Sequence, residues 1–168
     1  MFKSADPKTM TENPFALFAD RWTLITAGTA EHCNTMTASW GSLGILWNKK
    51  VVTVYVRPQR YTMEFLQKSD YFTLSFFGEK FRDKLNFCGA KSGRDVDKIK
   101  ECDFTVAAAK DGAPYIAEAE LVIVCKKLCF TDFDTDAIPD KYKNAFYAQK
   151  DFHRILFGEI AEVLRRVE

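Results

Sequence analysis

Two stretches of the chain carry residue types that could hold a small anionic ligand. The first is Asn34-Thr35-Met36-Thr37-Ala38-Ser39-Trp40-Gly41-Ser42-Leu43-Gly44, where small residues, hydroxyls, an amide and two glycines stand beside a thioether and an indole. Small side chains let a ligand approach backbone N–H and C=O groups, and Met36 and Trp40 add flat apolar contact. The mixture suits a planar, partly polar molecule with an anionic tail. The second is Arg57-Pro58-Gln59-Arg60-Tyr61-Thr62, with two cations and a hydroxyl at the expected start of a helix. A helix N-terminus presents unpaired N–H groups and partial positive charge, and Arg57 or Arg60 would add a bidentate clamp on a phosphate. Arginines beside turns are common at surfaces, so the local sequence also fits an ordinary solvated turn.

Three further candidates are weaker. Cys88-Gly89-Ala90-Lys91-Ser92-Gly93-Arg94-Asp95 offers glycines, a hydroxyl and cations, without the spacing of a Walker or dinucleotide fingerprint. Cys88 itself is either a reactive thiol or an inert buried one. His153, at the start of the last strand-like run, is either a hydrogen-bonded structural residue or a contact and proton donor at a ligand. Trp40 and Trp47 either cover a ligand or pack in a core.

Strands and short helices must position these groups. Trp22–Ala27, Val51–Val56 and Tyr71–Phe77 alternate or run apolar with a β-branched and aromatic bias, which predicts strands. A long strand is expected over about 119–133, with its pattern broken at Lys126-Lys127, and a final one over 152–166. Lys49-Lys50 reads as a turn, and Pro58 bars the strand at 51–56 from running on in a central ladder. Helical periodicity is expected after Thr62, which serves as a plausible N-cap, and again over 79–87, 95–100 and 139–148. Residues 1–20 read as a polar lead-in ending in an apolar turn or short helix. Strands separated by short helices without βαβ alternation favour an antiparallel barrel with peripheral helices.

The totals narrow the function classes. The chain has 168 residues, 47% hydrophobic, enough for one core and one domain spanning 1–168. Fifteen phenylalanines, six tyrosines and three tryptophans point to a β-rich core, to interfaces, or to both. A formal net charge of +1 gives no global field for nucleic acid or an anionic membrane, and no partner of either kind is expected. The five cysteines, Cys33, Cys88, Cys102, Cys125 and Cys129, include no C-x-x-C, and two histidines are too few to complete a zinc pattern. No metal is expected; the cysteines read as reduced thiols of a cytoplasmic protein. Cys125 and Cys129, four apart in a strand, are expected on one face.

In "NTMTASWG", "VRPQRYT", "FFG", "CGAKSGRDVDK" and "HRILFGEI", in that order, the chain resembles the flavin reductase-like family, its flavoredoxin-like members in particular. The resemblance implies a mainly β fold with peripheral short helices, an FMN-binding split β-barrel of antiparallel strands. It implies FMN as cofactor, with its phosphate at Arg57, Arg60 and Thr62 and with Ser39 reaching across to it. Backbone near Asn34, Met36, Thr37 and Ala38 would border the isoalloxazine, Trp40 would cover ring or ribityl chain, and Lys91 and Ser92 would lie close by. His153 becomes the candidate catalytic residue. The implied activity is hydride transfer from NADH or NADPH to flavin N5, with electrons passed to a free flavin or a redox partner protein, in a homodimer. Two alternatives stand beside it. One is an electron carrier with tightly held FMN and no nicotinamide substrate, the other a non-redox ligand-binding barrel.

Overall fold

The computed structural model describes residues 1–167. Its strands are β1 (Phe2–Ala5), β2 (Thr23–Gly28), β3 (Cys33–Ala38), β4 (Gly41–Leu46), β5 (Lys49–Val56), β6 (Tyr71–Phe76), β7 (Val106–Ala108), β8 (Pro114–Ile116), β9 (Leu121–Asp132) and β10 (Arg154–Arg166). The α-helices are α1 (Tyr61–Lys68), α2 (Arg82–Ala90), α3 (Lys98–Glu101) and α4 (Asp140–Phe146). A segment with wide π-type turns, Ala16–Arg21, precedes β2. Among the described residues, eight strands form one antiparallel sheet in the order β3-β2-β6-β9-β10-β5-β4, with β1 paired to β10; β7 and β8 form a separate hairpin.

The sheet curls but does not close. β3 and β4 are successive in the chain, yet they lie at its two opposite edges and do not pair. The break between them is the Ser39-Trp40 corner, which leaves the sheet open between its two edges. The stretch 34–44 therefore spans most of one edge strand, the corner and the start of the other edge strand. Its small polar residues fit an edge that must leave backbone groups free.

The inside of the curl holds one core, built from Ile25, Met36, Val52, Val54, Phe72, Leu74, Phe76 and Leu156, with Leu17 and Phe18 plugging one end. The outer face of β2, β6 and β9 carries a second, in which Leu24, Val122 and Val124 meet Phe77, Leu85, Cys88, Cys102, Phe104 and Ile116 under α2, α3 and the β7–β8 hairpin. Strands buried on both faces read as continuous apolar runs, which is why β6 and the first half of β9 stand out in the sequence.

Several local expectations change. The lead-in contains a strand: β1 adds to the edge of β10, with Phe2 opposite Arg166. The turn between β4 and β5 is Trp47-Asn48, both in the left-handed region (φ 50° and 59°), and Lys49-Lys50 belong to β5. Strand β2 starts at Thr23, because Trp22 also has positive φ. In β9 the partners run Gly158 with Lys127 and then Phe157 with Cys129, so Leu128 is an extra, bulged residue. A bulge reverses the alternation beyond it. Cys125 packs inside the curl and so does Phe130, five residues on. Cys129 therefore faces away from Cys125 and not with it.

Candidate functional site

Arg57 and Arg60 bracket the turn after β5, where the Arg60 amide donates to the Arg57 carbonyl at 3.1 Å. Arg60 is the extended N-cap of α1, and its side chain makes no cap bond. Thr62 is the second helical residue rather than the cap. It is 1% exposed, and its hydroxyl accepts from Asn34 Nδ2 at 2.7 Å, which leaves the hydroxyl proton free to donate. The first amides of α1 have no acceptor within the helix. The α2–α3 connection comes up against this helix start. Gly93 lies so close that a Cβ there would fall 2.0 Å from Asn34 Oδ1, so only glycine fits.

A hollow of about 180 Å³ opens between these elements, lined by Arg60, Thr62, Lys91, Ser92, Gly93 and Lys98 among others. Lys98 is the unexpected member. It is 4% exposed, and its ammonium donates to the Thr35 carbonyl at 3.0 Å and the Cys88 carbonyl at 2.8 Å. Among the described residues no carboxylate comes within ion-pair distance of it. Burial, with the Arg60 charge adding to it, pushes its pKa down to about 8. Arg60 has no carboxylate partner among the described residues either; it donates to the Gly89 carbonyl at 2.7 Å. Both cations lean on the negative C-terminal end of α2, which steadies them without cancelling their charge. A buried ammonium with neutral partners is costly, and an anion in the hollow would offset that cost.

Beyond Gly89 and Ala90 a second hollow of about 250 Å³ runs along the seam, lined by Trp22, Thr37, Ser39, Leu85, Asn86 and Gly89. Thr37 Oγ1 donates to the Leu85 carbonyl at 2.5 Å, fastening α2 to β3. In an antiparallel ladder alternate residues turn both backbone groups to the same side. The Thr35 carbonyl points off the edge toward Lys98, so Cys33, Thr35 and Thr37 share the open side while Asn34, Met36 and Ala38 bond to β2.

The predicted residues thus fall into four places. Arg60, Thr62, Lys91 and Ser92 meet in the anion hollow. Thr37 and Ser39 line the adjoining one, so Ser39 is not at the cations. Asn34 stands behind, tying β3 to α1, while Met36 and Ala38 send their side chains into the barrel core and their backbone to β2. Arg57, Trp40 and His153 form a separate group. Arg57 pairs with the Asp151 carboxylate and donates to the Phe146 carbonyl at 2.9 Å. The Trp40 ring lies 5.0 Å from His153 and 5.2 Å from Phe146. His153 Nδ1 shares a 2.9 Å hydrogen bond with the Tyr147 hydroxyl; burial, helped by the Arg57 charge, holds its pKa down to about 4 and the ring neutral at pH 7. Trp47 sits at the hairpin tip, six residues along β4 from the corner and about 20 Å away at strand rise. Sequence reasoning missed Lys98 and the Thr35 backbone. Lys98 lies in the run Asp97-Lys98-Ile99-Lys100 and reads as one more solvated charge.

The chain is thus an open antiparallel barrel with a cationic hollow beside the start of α1. The chain belongs to the flavin reductase like domain family, whose model matches residues 15–166. No curated protein sequence matches it. Solved structures share the fold. An FMN-binding protein from Thermus thermophilus with bound p-hydroxybenzaldehyde superposes with a TM-score of 0.70 at 20% identity, covering 98% of this chain and 82% of that one. A flavoredoxin from Methanosarcina acetivorans does so with 0.68 at 24%, covering 95% and 75%. An NADH:FAD oxidoreductase from Streptomyces globisporus does so with 0.65 at 18%, covering 86% and 75%.

Proposed function

We propose that this chain binds FMN along its seam and works as an NAD(P)H-dependent flavin reductase. The observation that carries the reading is a pair of cations, buried Lys98 and half-buried Arg60, that line one hollow with Thr62 and have no carboxylate partner among the described residues. A phosphate monoester, close to dianionic at neutral pH, matches that donor set in charge and in number of acceptors. The adjoining hollow gives a flat ring system the Thr37 backbone and the Ser39 hydroxyl, and Gly89 keeps its far wall low. Bound there, FMN would supply hydride acceptance at N5, with NADH or NADPH as donor and a free flavin or redox protein as acceptor. The chain's own work is anchorage, orientation and an open face; it needs no nucleophile, and the neutral His153 ring is suited to packing against Trp40 rather than to giving up a proton at pH 7. We also propose a homodimer, supported by the unpaired outer edge of β4 and by Ile45 (71% exposed) and Trp47 (66% exposed) at the end of that hairpin.

Anaerobic stopped-flow mixing of the FMN-loaded protein with NADH or NADPH tests the activity. Rapid loss of the flavin absorbance near ~450 nm is expected of a flavin reductase. Bleaching by a reduced redox protein and not by either nicotinamide would make the chain an electron carrier instead.

A further inference from the structure

Directly beneath the anion hollow, two thiols face each other with no assigned purpose. Cys88 is in the last turn of α2 and Cys102 is the C-cap of α3; both are buried, and their sulfurs are 3.7 Å apart. The Cys88 backbone carbonyl is the one that receives Lys98 Nζ, so the pair sits one layer below the cations. The fourteen-residue separation spans the whole connection that carries Lys91, Ser92, Gly93 and Lys98. The other three cysteines have no thiol neighbour among the described residues.

We propose that Cys88 and Cys102 are a reversible dithiol–disulfide couple whose oxidation by a peroxide staples this connection shut. The sulfurs need to approach by only about 1.7 Å to reach the ~2.05 Å of a disulfide. With hydrogen peroxide the step balances as follows. The Cys102 sulfur attacks one peroxide oxygen, the O–O bond breaks, and the departing hydroxide leaves as water with the thiol proton. The Cys88 sulfur then displaces the second oxygen, the S–O bond breaks as the S–S bond forms, and a second water leaves with the Cys88 proton. The two thiols lose two electrons and the peroxide gains them. Burial raises both thiols, and Cys102 is the attacking one because its hydrogen bond with Cys88, with the Lys84 and Lys98 charges, holds the rise back, whereas Cys88 is pushed up to about 12 despite Lys98 and Arg60. A small uncharged oxidant suits so enclosed a pair. Only the bearing of the staple on FMN retention rests on the function proposed above; the staple itself does not.

Flavin-free protein, treated with hydrogen peroxide and then alkylated, unfolded and mapped by mass spectrometry, tests the couple. The expected result is one cross-linked peptide pair joining Cys88 to Cys102, reversed by dithiothreitol, with Cys33 and Cys129 still open to alkylation. Brief tryptic digestion of the folded protein should then cut after Lys91 and Arg94 several-fold more slowly in the oxidised form. Cys102→Ala should make that rate indifferent to peroxide, and if this variant fails to fold the wild-type map decides alone. Oxidation confined to the half-exposed Cys33 or Cys129, or equal cleavage rates in linked and unlinked protein, would overturn the proposal. FMN binding enters neither readout, so a failure of the flavin assignment would be seen separately.

Discussion

Replacing Lys98 by methionine separates an anion-holding amine from a merely structural one. The side chain keeps most of its length and loses its charge. In the free protein the amine's pKa of about 8 lies below the 10.5 of an unburied lysine. Between those values the unfolded chain holds more protons, so stability rises with pH across that window. At pH 7 the buried charge costs the fold ~3 kcal/mol. Against this stand the two hydrogen bonds to Thr35 and Cys88, at ~1 to 1.5 kcal/mol each. The two effects nearly cancel, so Lys98→Met should shift the stability of the free protein by less than about 1.5 kcal/mol. Ligand binding has no such cancellation. Losing a charge-assisted contact to phosphate should weaken FMN binding by ~1.5 to 3 kcal/mol, roughly 10- to 150-fold in Kd. The pH dependence is sharper still. Above pH 8 the wild-type amine must take up a proton to meet the anion, so affinity should fall up to about tenfold per pH unit, while the methionine variant stays flat. FMN fluorescence quenching between pH 7 and 9, with thermal denaturation in parallel, reads all of this. Wild-type and variant curves that coincide would refute the role given to Lys98.

Other perturbations test neighbouring parts of the account. Thr62→Val removes the acceptor of a buried Asn34 amide and should cost ~1 to 3 kcal/mol in urea denaturation, besides weakening FMN binding. The His153 pKa, near 4 in the fold against 6.5 free, makes the unfolded state the stronger proton binder. Stability should therefore drop as pH falls from 6.5 toward 4, by up to ~3 kcal/mol, and His153→Gln should remove most of that drop in denaturation midpoints at pH 7 and 4.5. At Gly41 an added Cβ would lie 2.3 Å from the buried Phe18 ring, whereas at Gly44 it would meet nothing within 4 Å. Gly41→Ala should cost ~1 to 3 kcal/mol and Gly44→Ala almost nothing, by calorimetry.

Much of this architecture was legible because the strands that matter most are buried on both faces. Val51–Val56 and Tyr71–Phe76 announce themselves by branched and aromatic runs, and the antiparallel class follows from their spacing. What escaped notice depends on tertiary contact. β1 is too short and polar to register without β10 beside it. The edge strand β3 has no branched aliphatic and β4 is interrupted by two glycines, so neither carries the strand signature of β5 or β6. The Leu128 bulge that separates Cys125 from Cys129 has no mark in composition. At the site, Arg60, Thr62, Lys91 and Ser92 were found from residue type and spacing, aided by the family resemblance, and the fold gathers them. Arg57 has the right chemistry and the wrong neighbour, since Asp151 lies 94 positions away in the chain and claims it. Lys98 is the reverse: an ordinary-looking lysine made unusual by burial that only the folded chain reveals.

A crystal structure of the FMN-saturated protein tests the central assignment most directly. Phosphate density is expected within hydrogen-bonding distance of Arg60, Thr62 and Lys98, with the ring system lying along Thr37 and Ser39. Density for the phosphate at any other surface, or a hollow still filled by the protein's own side chains at saturating FMN, would contradict it.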